Sequence, residues 1–443
     1  MGPSSRIAST CGLLGLIVFQ VVWGFHSSAE AAVAEGSLLD YTSINFQVLA
    51  FDTESVVRRD SVLNPENIAR LPSGRTDVEG RLDLKLTTDP FVLSLKPRVI
   101  SEWRRIQDGE SRNRIDLLLN QWSATVLPIQ SLAFSVGRDI LTWGPSNFRS
   151  PSNPFYFDNG RSNPIRELRG IDVVKVSYAP TEALSLTLLH NFGDGQGDWQ
   201  WERDEDFRAR ILLKADYTAD VYAASVNLSK RWDGERPRLG AFAQATVTEA
   251  LLVYAEAGLR QGSTGLYPEE QDNPLGWGFS ARYAESDRLF YSALVGGGYT
   301  LESGYTIYLE YLNNNEGYTR EEGKQYFDIA QQAADALASP SPKTPFAGQA
   351  LVGALNNGLM LQGRHYLFLQ FQNNPAEDGP IWQLRYSLNL LDGSGQGAGY
   401  IEWNASNRLG LFALGVVNHG SKRSEFHSLM SGSLLVGAKG YIW

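Results

Sequence analysis

One cysteine, Cys11, occurs among 443 residues, and it falls close to the N-terminus. Exported scaffolds stapled by disulfides carry paired cysteines, so that class is excluded, as is thiol chemistry further along the chain. Histidine is scarce too. Beyond the first residues it occurs at 190, 365, 419 and 427, with no H-x-x-x-H or comparable metal-ligand spacing. His427 and Ser428 are adjacent, and neighbours in a strand point to opposite faces. No catalytic residue, metal site or cofactor is therefore expected. The stretch GSGQGAG at 393–399 lacks the Lys-Ser/Thr of a phosphate loop and reads as a hairpin loop. Long apolar runs are missing beyond the N-terminus. Membrane-crossing helices need about 18 or more apolar residues, so a helical multi-pass protein is excluded. Lys plus Arg number 39 against 49 Asp plus Glu, a net charge of −10, which argues against nucleic acid as a partner.

The N-terminus has a short basic region with Arg6, an apolar stretch from Gly12 to Phe25, and then the small residues SSAEAAVAEG. That order reads as a secretory signal peptide over 1–34, cleaved near Ala31 or Ala34. Cys11 precedes the apolar stretch, which argues against lipid attachment and leaves the mature chain, 35–443, without cysteine.

What the mature chain does contain is 43 glycines for the whole sequence, 11 % aromatics, and a mean hydropathy of −0.24 despite 43 % hydrophobic residues. Alternation reconciles these values. In RLDLKLT (81–87), Leu82, Leu84 and Leu86 share one face, with Arg81, Asp83 and Lys85 on the other; RARILLKADY (208–217) and WQLRYSLNL (382–390) repeat the pattern. Strands fall at roughly 43–53, 77–89, 91–104, 112–125, 131–140, 169–179, 183–192, 207–217, 220–231, 237–248, 250–261, 288–300, 304–314, 363–373, 381–391, 398–405, 409–418 and 431–443. Sandwich strands average about 5–6 residues, whereas these are as long as tilted membrane-crossing strands. Connections alternate between short turns, such as 87–90, 127–130 and 218–220, and long loops at 54–76, 141–168, 193–206, 262–287 and 315–362. The expected fold is all-β: a transmembrane antiparallel β-barrel of about 18 strands, with short periplasmic turns and long extracellular loops, in a Gram-negative outer membrane. A count of 16 is the alternative, and 276–286 is a candidate extra strand. A closed barrel satisfies every backbone group in hydrocarbon while keeping charge in its lumen.

Charge sorting carries the functional reading. Opposite the apolar faces stand Arg81, Lys85, Lys96, Arg98, Arg104, Arg112, Arg114, Lys175, Arg208, Arg210, Lys214, Arg260 and Arg385, against Asp83, Glu102, Asp116, Asp216, Glu256, Glu310 and Glu402. Thirteen bases against seven acids give these rows a charge of +6, although the chain is −10. Two readings stand: the acids and bases brace the wall, or the surplus gives the lumen an anion preference. The loop 141–168 is rich in Pro, Asn and Ser yet holds Trp143, Phe148, Phe155, Tyr156 and Phe157. It is a candidate constriction inside the barrel, with Trp143, Arg149, Asp158, Arg161, Arg166 and Arg169 as its candidate residues; an outside cap is the alternative. Residues 325–339 read as a helix within 315–362.

The chain ends YIW, with Tyr441 and Trp443 on one strand face. This resembles the C-terminal signal of bacterial outer-membrane barrels, which implies outer-membrane lipid and the barrel-assembly machinery as partners. Lys439 shares that face and, if it points to lipid, must snorkel at the rim. Together with Gly137, Arg138, Trp143 and Gly144, these features resemble porin-type outer-membrane barrels, nearest to the alginate-export and related channels. The resemblance implies a basic lumen passing an anionic polysaccharide. The expected function is passive passage of hydrophilic, anionic solutes, with polysaccharide export or a structural barrel as the other readings.

Overall fold

The computed structural model describes residues 41–106, 110–192, 209–232, 236–339, 342–374 and 379–442. From Ile44 onward they belong to one compact unit. The wall strands are β1 (Thr42–Val57), β2 (Pro72–Thr88), β3 (Phe91–Ile106), β4 (Ser111–Ile129), β5 (Leu132–Asp139), β6 (Ile171–Tyr178), β7 (Leu184–Asn191), β8 (Arg210–Thr218), β9 (Tyr222–Arg231), β10 (Arg238–Thr246) and β11 (Leu251–Gln261). A separate hairpin follows, β12 (Tyr267–Glu270) with β13 (Trp277–Ser280). The wall resumes with β14 (Leu289–Thr300), β15 (Thr306–Asn314), β16 (His365–Gln372), β17 (Ile381–Asn389), β18 (Gly395–Ser406), β19 (Leu409–His419) and β20 (Met430–Tyr441). Each strand pairs antiparallel with its neighbours in one 18-stranded sheet. The sheet closes where β1 meets β20, from Gln47 opposite Tyr441 to Val57 opposite Met430. The alternative of 16 strands is set aside.

Alternation decides which face each side chain takes. On β7 and β8, Leu186, Leu188, Ile211 and Leu213 are exposed on the outside, while Leu189, Arg210 and Leu212 are buried within. On β15, Leu309 is exposed, and Glu310 and Leu312 are buried. The exposed apolar residues form a lipid-facing band, and the closed sheet leaves no unpaired edge inside it.

Three sequence expectations need correction. Residues 277–280 form β13, outside the barrel wall, because they pair only with β12. The glycines of 395–399 lie in β18 rather than in a loop: a Cβ on Gly395 would sit 2.5 Å from His419 and 2.8 Å from the Tyr386 hydroxyl, so only glycine fits beneath that pair. Lys439 and Tyr441 share the inner face. Leu434 and Val436 are the outward residues of β20, so the odd positions turn inward, and Lys439 pairs with the buried Glu402 at 2.5 Å. Trp443, the signal peptide over 1–34, Arg208 and the long loop 193–206 lie outside the described residues.

At the long-loop end, α1 (Arg320–Ala338) begins at a capping box, Thr319 with Glu322. It packs against α2 (Thr344–Leu355), a second helix within the long loop 315–362 that the sequence pattern does not mark. Ala330 and Ala333 meet Ala347, Ala350 and Ala354, and Val62, Leu63, Tyr267 and Leu275 from neighbouring loops complete a small core.

Candidate functional site

The connection 140–170, between β5 and β6, crosses the lumen. Its turn residues build their own scaffold. The Asn153 side-chain Oδ1 accepts from the Phe155 and Tyr156 amides at 2.8 and 3.1 Å, and the Asn159 and Asn163 Oδ1 atoms accept from the backbone amides of Arg161 and Ile165, each at 3.1 Å. Gly144, at φ +91°, turns the chain toward Glu256, where any side chain would strike the carboxylate. The aromatics then anchor to the inner wall. Phe155 and Tyr156 pack with Ile171, Val173, Leu189 and Leu212, and Phe148 stacks on Phe368 with centroids 5.3 Å apart.

Two buried carboxylates on the wall fasten this loop. Glu256 of β11 accepts from the hydroxyls of Ser146, Ser150 and Ser152 at 2.9, 2.5 and 2.7 Å and from the Ser152 amide at 3.1 Å. Glu310 of β15 accepts from the amides of Asn147 and Phe148 at 2.6 and 2.8 Å and from the Tyr254 hydroxyl at 2.5 Å. Arginines hold the loop from other sides: Arg385 donates to the Asn147 and Arg161 carbonyls at 2.8 and 2.5 Å, Arg210 to Pro154 at 2.9 Å, and Arg81 to Ile165 at 2.8 Å. Arg98 reaches Glu167 at 2.7 Å, and Asn120 donates to the Leu168 carbonyl at 3.0 Å. The loop is thus tied to β2, β3, β4, β8, β11, β15 and β17. Glycines on β10 and β11 make room for it, since a Cβ on Gly240 or Gly258 would lie 2.1 Å from the Ser152 or Pro151 carbonyl oxygen. We expect Gly258→Ala to push the 150–152 turn off the wall at a cost of about 1–3 kcal/mol, read as faster limited proteolysis of the loop.

Most of the inner-face bases of the sequence reading have acidic neighbours. Arg81 pairs with Glu79 at 2.6 Å, Lys96 with Asp83 at 3.9 Å, Arg98 with Asp83 at 2.8 Å, Arg114 with Asp116 at 2.7 Å, Lys175 with Asp139 at 3.6 Å and Arg112 with Glu110 at 3.8 Å. Arg104 pairs with Glu102, Lys214 with Asp216 and Arg260 with Glu316. Arg210 and Arg385 hold loop carbonyls, and Lys85 is exposed opposite Ser94. Bracing therefore accounts for most of these individual side chains. In the loop, Arg149 pairs with Asp158 at 3.3 Å, Arg161 donates to the Pro145 carbonyl at 2.9 Å, and Trp143 lies under Lys214, 5.4 Å from its ring centroid.

Two open spaces flank the loop. One, about 490 Å³, has Arg75, Arg81, Arg98, Arg166 and Arg169 on its walls with Glu79, Asp158 and Glu167. The other, about 110 Å³, has Arg210, Arg231, Arg236, Arg238 and Arg260 with Glu316. Ten arginines thus face four carboxylates across the two. Arg75, Arg231, Arg236 and Arg238 were not among the residues singled out from sequence. Arg75 fell in the expected loop 54–76, which the structure makes the start of β2; Arg231 and Arg238 lie at strand ends, and Arg236 lies between strands.

Burial raises the pKa of Glu167, but Arg98, with Arg81 and Lys96 beyond it, outweighs this and leaves the carboxyl below the usual range. A lowered acid contributes stability above its ordinary pKa, and that stability is lost as pH falls through the folded value. The Arg98–Glu167 tie should hold at neutral pH and fail only below the ordinary carboxylate range, near 4.5. Limited proteolysis of the loop should speed up there, and Glu167→Gln should show that susceptibility at neutral pH.

No family model and no curated protein matches the chain. Solved structures do match in fold. OccAB1 of Acinetobacter baumannii superposes with a TM-score of 0.54 at 11 % identity, covering 94 % of this chain and 100 % of that one. OccK11 (OpdR) of Pseudomonas aeruginosa gives 0.51 at 12 %, covering 92 % and 98 %. OprD of the same organism gives 0.50 at 9 %, covering 93 % and 98 %. At these identities the likeness is one of fold, and the alginate-export resemblance receives no support from it.

Proposed function

We propose that this chain is an outer-membrane channel through which small hydrophilic solutes diffuse without an energy source, with a preference for anions. The observation that carries this reading is the arginine surplus on the spaces left open beside the 140–170 loop. A lumen of one net sign between low-dielectric walls concentrates counter-charged solutes. The wall arginines are mostly paired, so the preference arises where wall and loop arginines converge. The barrels it resembles in fold are outer-membrane porins, and small-solute passage suits a lumen crossed by a fastened loop. Threading of a polysaccharide does not, because a polymer needs a continuous opening. Delivery on a leader cleaved near Ala31 or Ala34, followed by insertion by the barrel-assembly machinery, belongs to the same reading.

Swelling of proteoliposomes tests it. A small carboxylate should enter faster than an amine of matched size. Equal rates would remove the anion preference, and no swelling with any solute would remove the channel.

A further inference from the structure

The connection 420–429, from β19 to β20, folds into the mouth of the barrel and is held there by one carboxylate. Glu425 Oε1 accepts from the Gln362 amide at 2.9 Å, and Oε2 accepts from the Tyr366 hydroxyl at 2.5 Å and from Asn389 Nδ2 at 2.8 Å. These donors come from the segment after α2, from β16 and from β17. The Glu425 amide donates to the Asp392 carboxylate at 2.8 Å, the Phe426 amide donates to the Ser394 hydroxyl at 3.3 Å, and Arg423 pairs with Asp328 of α1. Phe426 meets Tyr366 edge-on with centroids 6.4 Å apart, and Tyr366 lies 5.9 Å from Phe148 of the 140–170 loop. One side chain thus gathers three segments at the mouth and abuts, through a file of rings, the loop that crosses the lumen.

We propose that the 420–429 connection is a gate over the lumen and that Glu425 is its latch, shut while the carboxyl is protonated and released as it ionises. The inference rests on the channel reading for the passage that the gate closes.

The seat favours a neutral carboxyl. Among the described residues no lysine or arginine is ion-paired with Glu425. On its own connection, Arg423 is committed to Asp328, Lys422 is exposed, and His427 faces the Asn418 carbonyl at 2.9 Å. The turn after β17 presents Asp392, a like charge, while β16 and α1 present the hydroxyls of Tyr366 and Tyr326. Beside Gln362, Arg364 is paired with Glu322 at 3.6 Å, and Arg58, whose amide meets Leu429, is paired with Asp60 at 2.7 Å. Packing strips water from the half-buried carboxyl and so penalises its charged form, and Asp392 adds to this. The three donors offset only part of the penalty, so the pKa stands above its ordinary 4.5. Once protonated, the carboxyl keeps its place, because the Tyr366 hydroxyl can turn and accept the new proton. Released into water, it titrates in the ordinary range. A group whose pKa is raised in the closed state stabilises that state fully below 4.5, and the contribution is lost as pH rises through the raised value. One carboxyl changes the ratio of closed to open by at most about tenfold per pH unit.

Hydrogen exchange of the purified full-length protein in detergent, read by mass spectrometry at pH 5.5 and pH 8 and corrected for intrinsic rates, follows the latch through peptides containing Glu425 and Phe426. Their protection should be severalfold greater at pH 5.5, while peptides from β19 stay equal at both values. E425Q keeps a neutral group of the same shape, so protection should be high at both; in E425A it should be low at both. Planar-bilayer recording then reads the gate. Closed intervals of the wild type should lengthen from pH 8 to pH 5.5, E425Q should close often at both, and E425A should stay open. The inference is overturned if protection of 420–429 in the wild type is independent of pH, if E425Q keeps the full pH dependence, or if E425A still closes as the wild type does. A silent bilayer with the expected exchange pattern rejects the channel reading and leaves the latch standing, whereas steady current with pH-independent exchange rejects the latch alone.

Discussion

Replacing Glu256 and Glu310 together by alanine is expected to raise single-channel conductance and to make the open current noisy. The two carboxylates accept seven hydrogen bonds between them, six from the 140–170 loop and one from Tyr254. A hydrogen bond to a charged group contributes about 1.5–3 kcal/mol, and a buried donor left without a partner costs about 1–3 kcal/mol. Losing both anchors therefore removes at least about 6 kcal/mol of fastening, more than the aromatic packing of one segment supplies. Each single variant keeps Arg385, Arg210 and the other carboxylate, and should show a smaller change. The wall hydrogen bonds are separate from these anchors, so circular dichroism should report the same β-content. Planar-bilayer recording of the double variant is the check; an unchanged, quiet conductance would show that the loop is held by its own scaffold.

Reversing two charges in the smaller space should invert the ion preference. Arg231 and Arg236 line it, and Arg236 also pairs with Asp287 at 2.6 Å and donates to the Ser286 carbonyl at 2.8 Å. Arg231→Glu with Arg236→Glu changes the local charge by four units. A unit charge about 6 Å away contributes about 0.7 kcal/mol in water, so four contribute about 2.8 kcal/mol before screening. A Debye length of about 10 Å at 0.1 M salt reduces this to about 1.5 kcal/mol, roughly a tenfold loss of anion permeability with a cation gain of the opposite sign. The effect should shrink at 1 M salt. A selectivity unmoved by the double reversal would place the ion path elsewhere.

The wall was legible in sequence because period-2 alternation over long strands survives wherever one face meets lipid and the other water. Leu186, Leu188, Ile211 and Leu213 show it plainly. It blurs where the inner face is also apolar. On β20, Leu434 and Leu435 are both apolar because Leu435 packs inward beside Phe51 and Phe412. The strand's parity therefore cannot be read from its leucines, and the terminal aromatics pointed Lys439 and Tyr441 the wrong way. That the loop 141–168 packs against the wall was legible through its Pro, Asn and Ser content combined with five aromatics. Its anchors were not. A carboxylate on an inner face reads as a lumen charge until its partners, about a hundred or more residues away in the chain, are known. The glycines at 240 and 258 carry no chemical signal either, and only the nearby loop backbone explains them. The second helix was missed because TPFAGQALVGAL is stabilised by its alanine contacts with α1, a tertiary effect that outweighs weak intrinsic propensity.

Current through a planar bilayer holding the purified protein, recorded under a tenfold KCl gradient, examines the proposed lumen most directly. Discrete unitary steps whose reversal potential lies toward the chloride equilibrium value are the predicted result. A silent membrane, or steps that reverse toward the potassium value, would contradict a wet passage lined by a surplus of arginine.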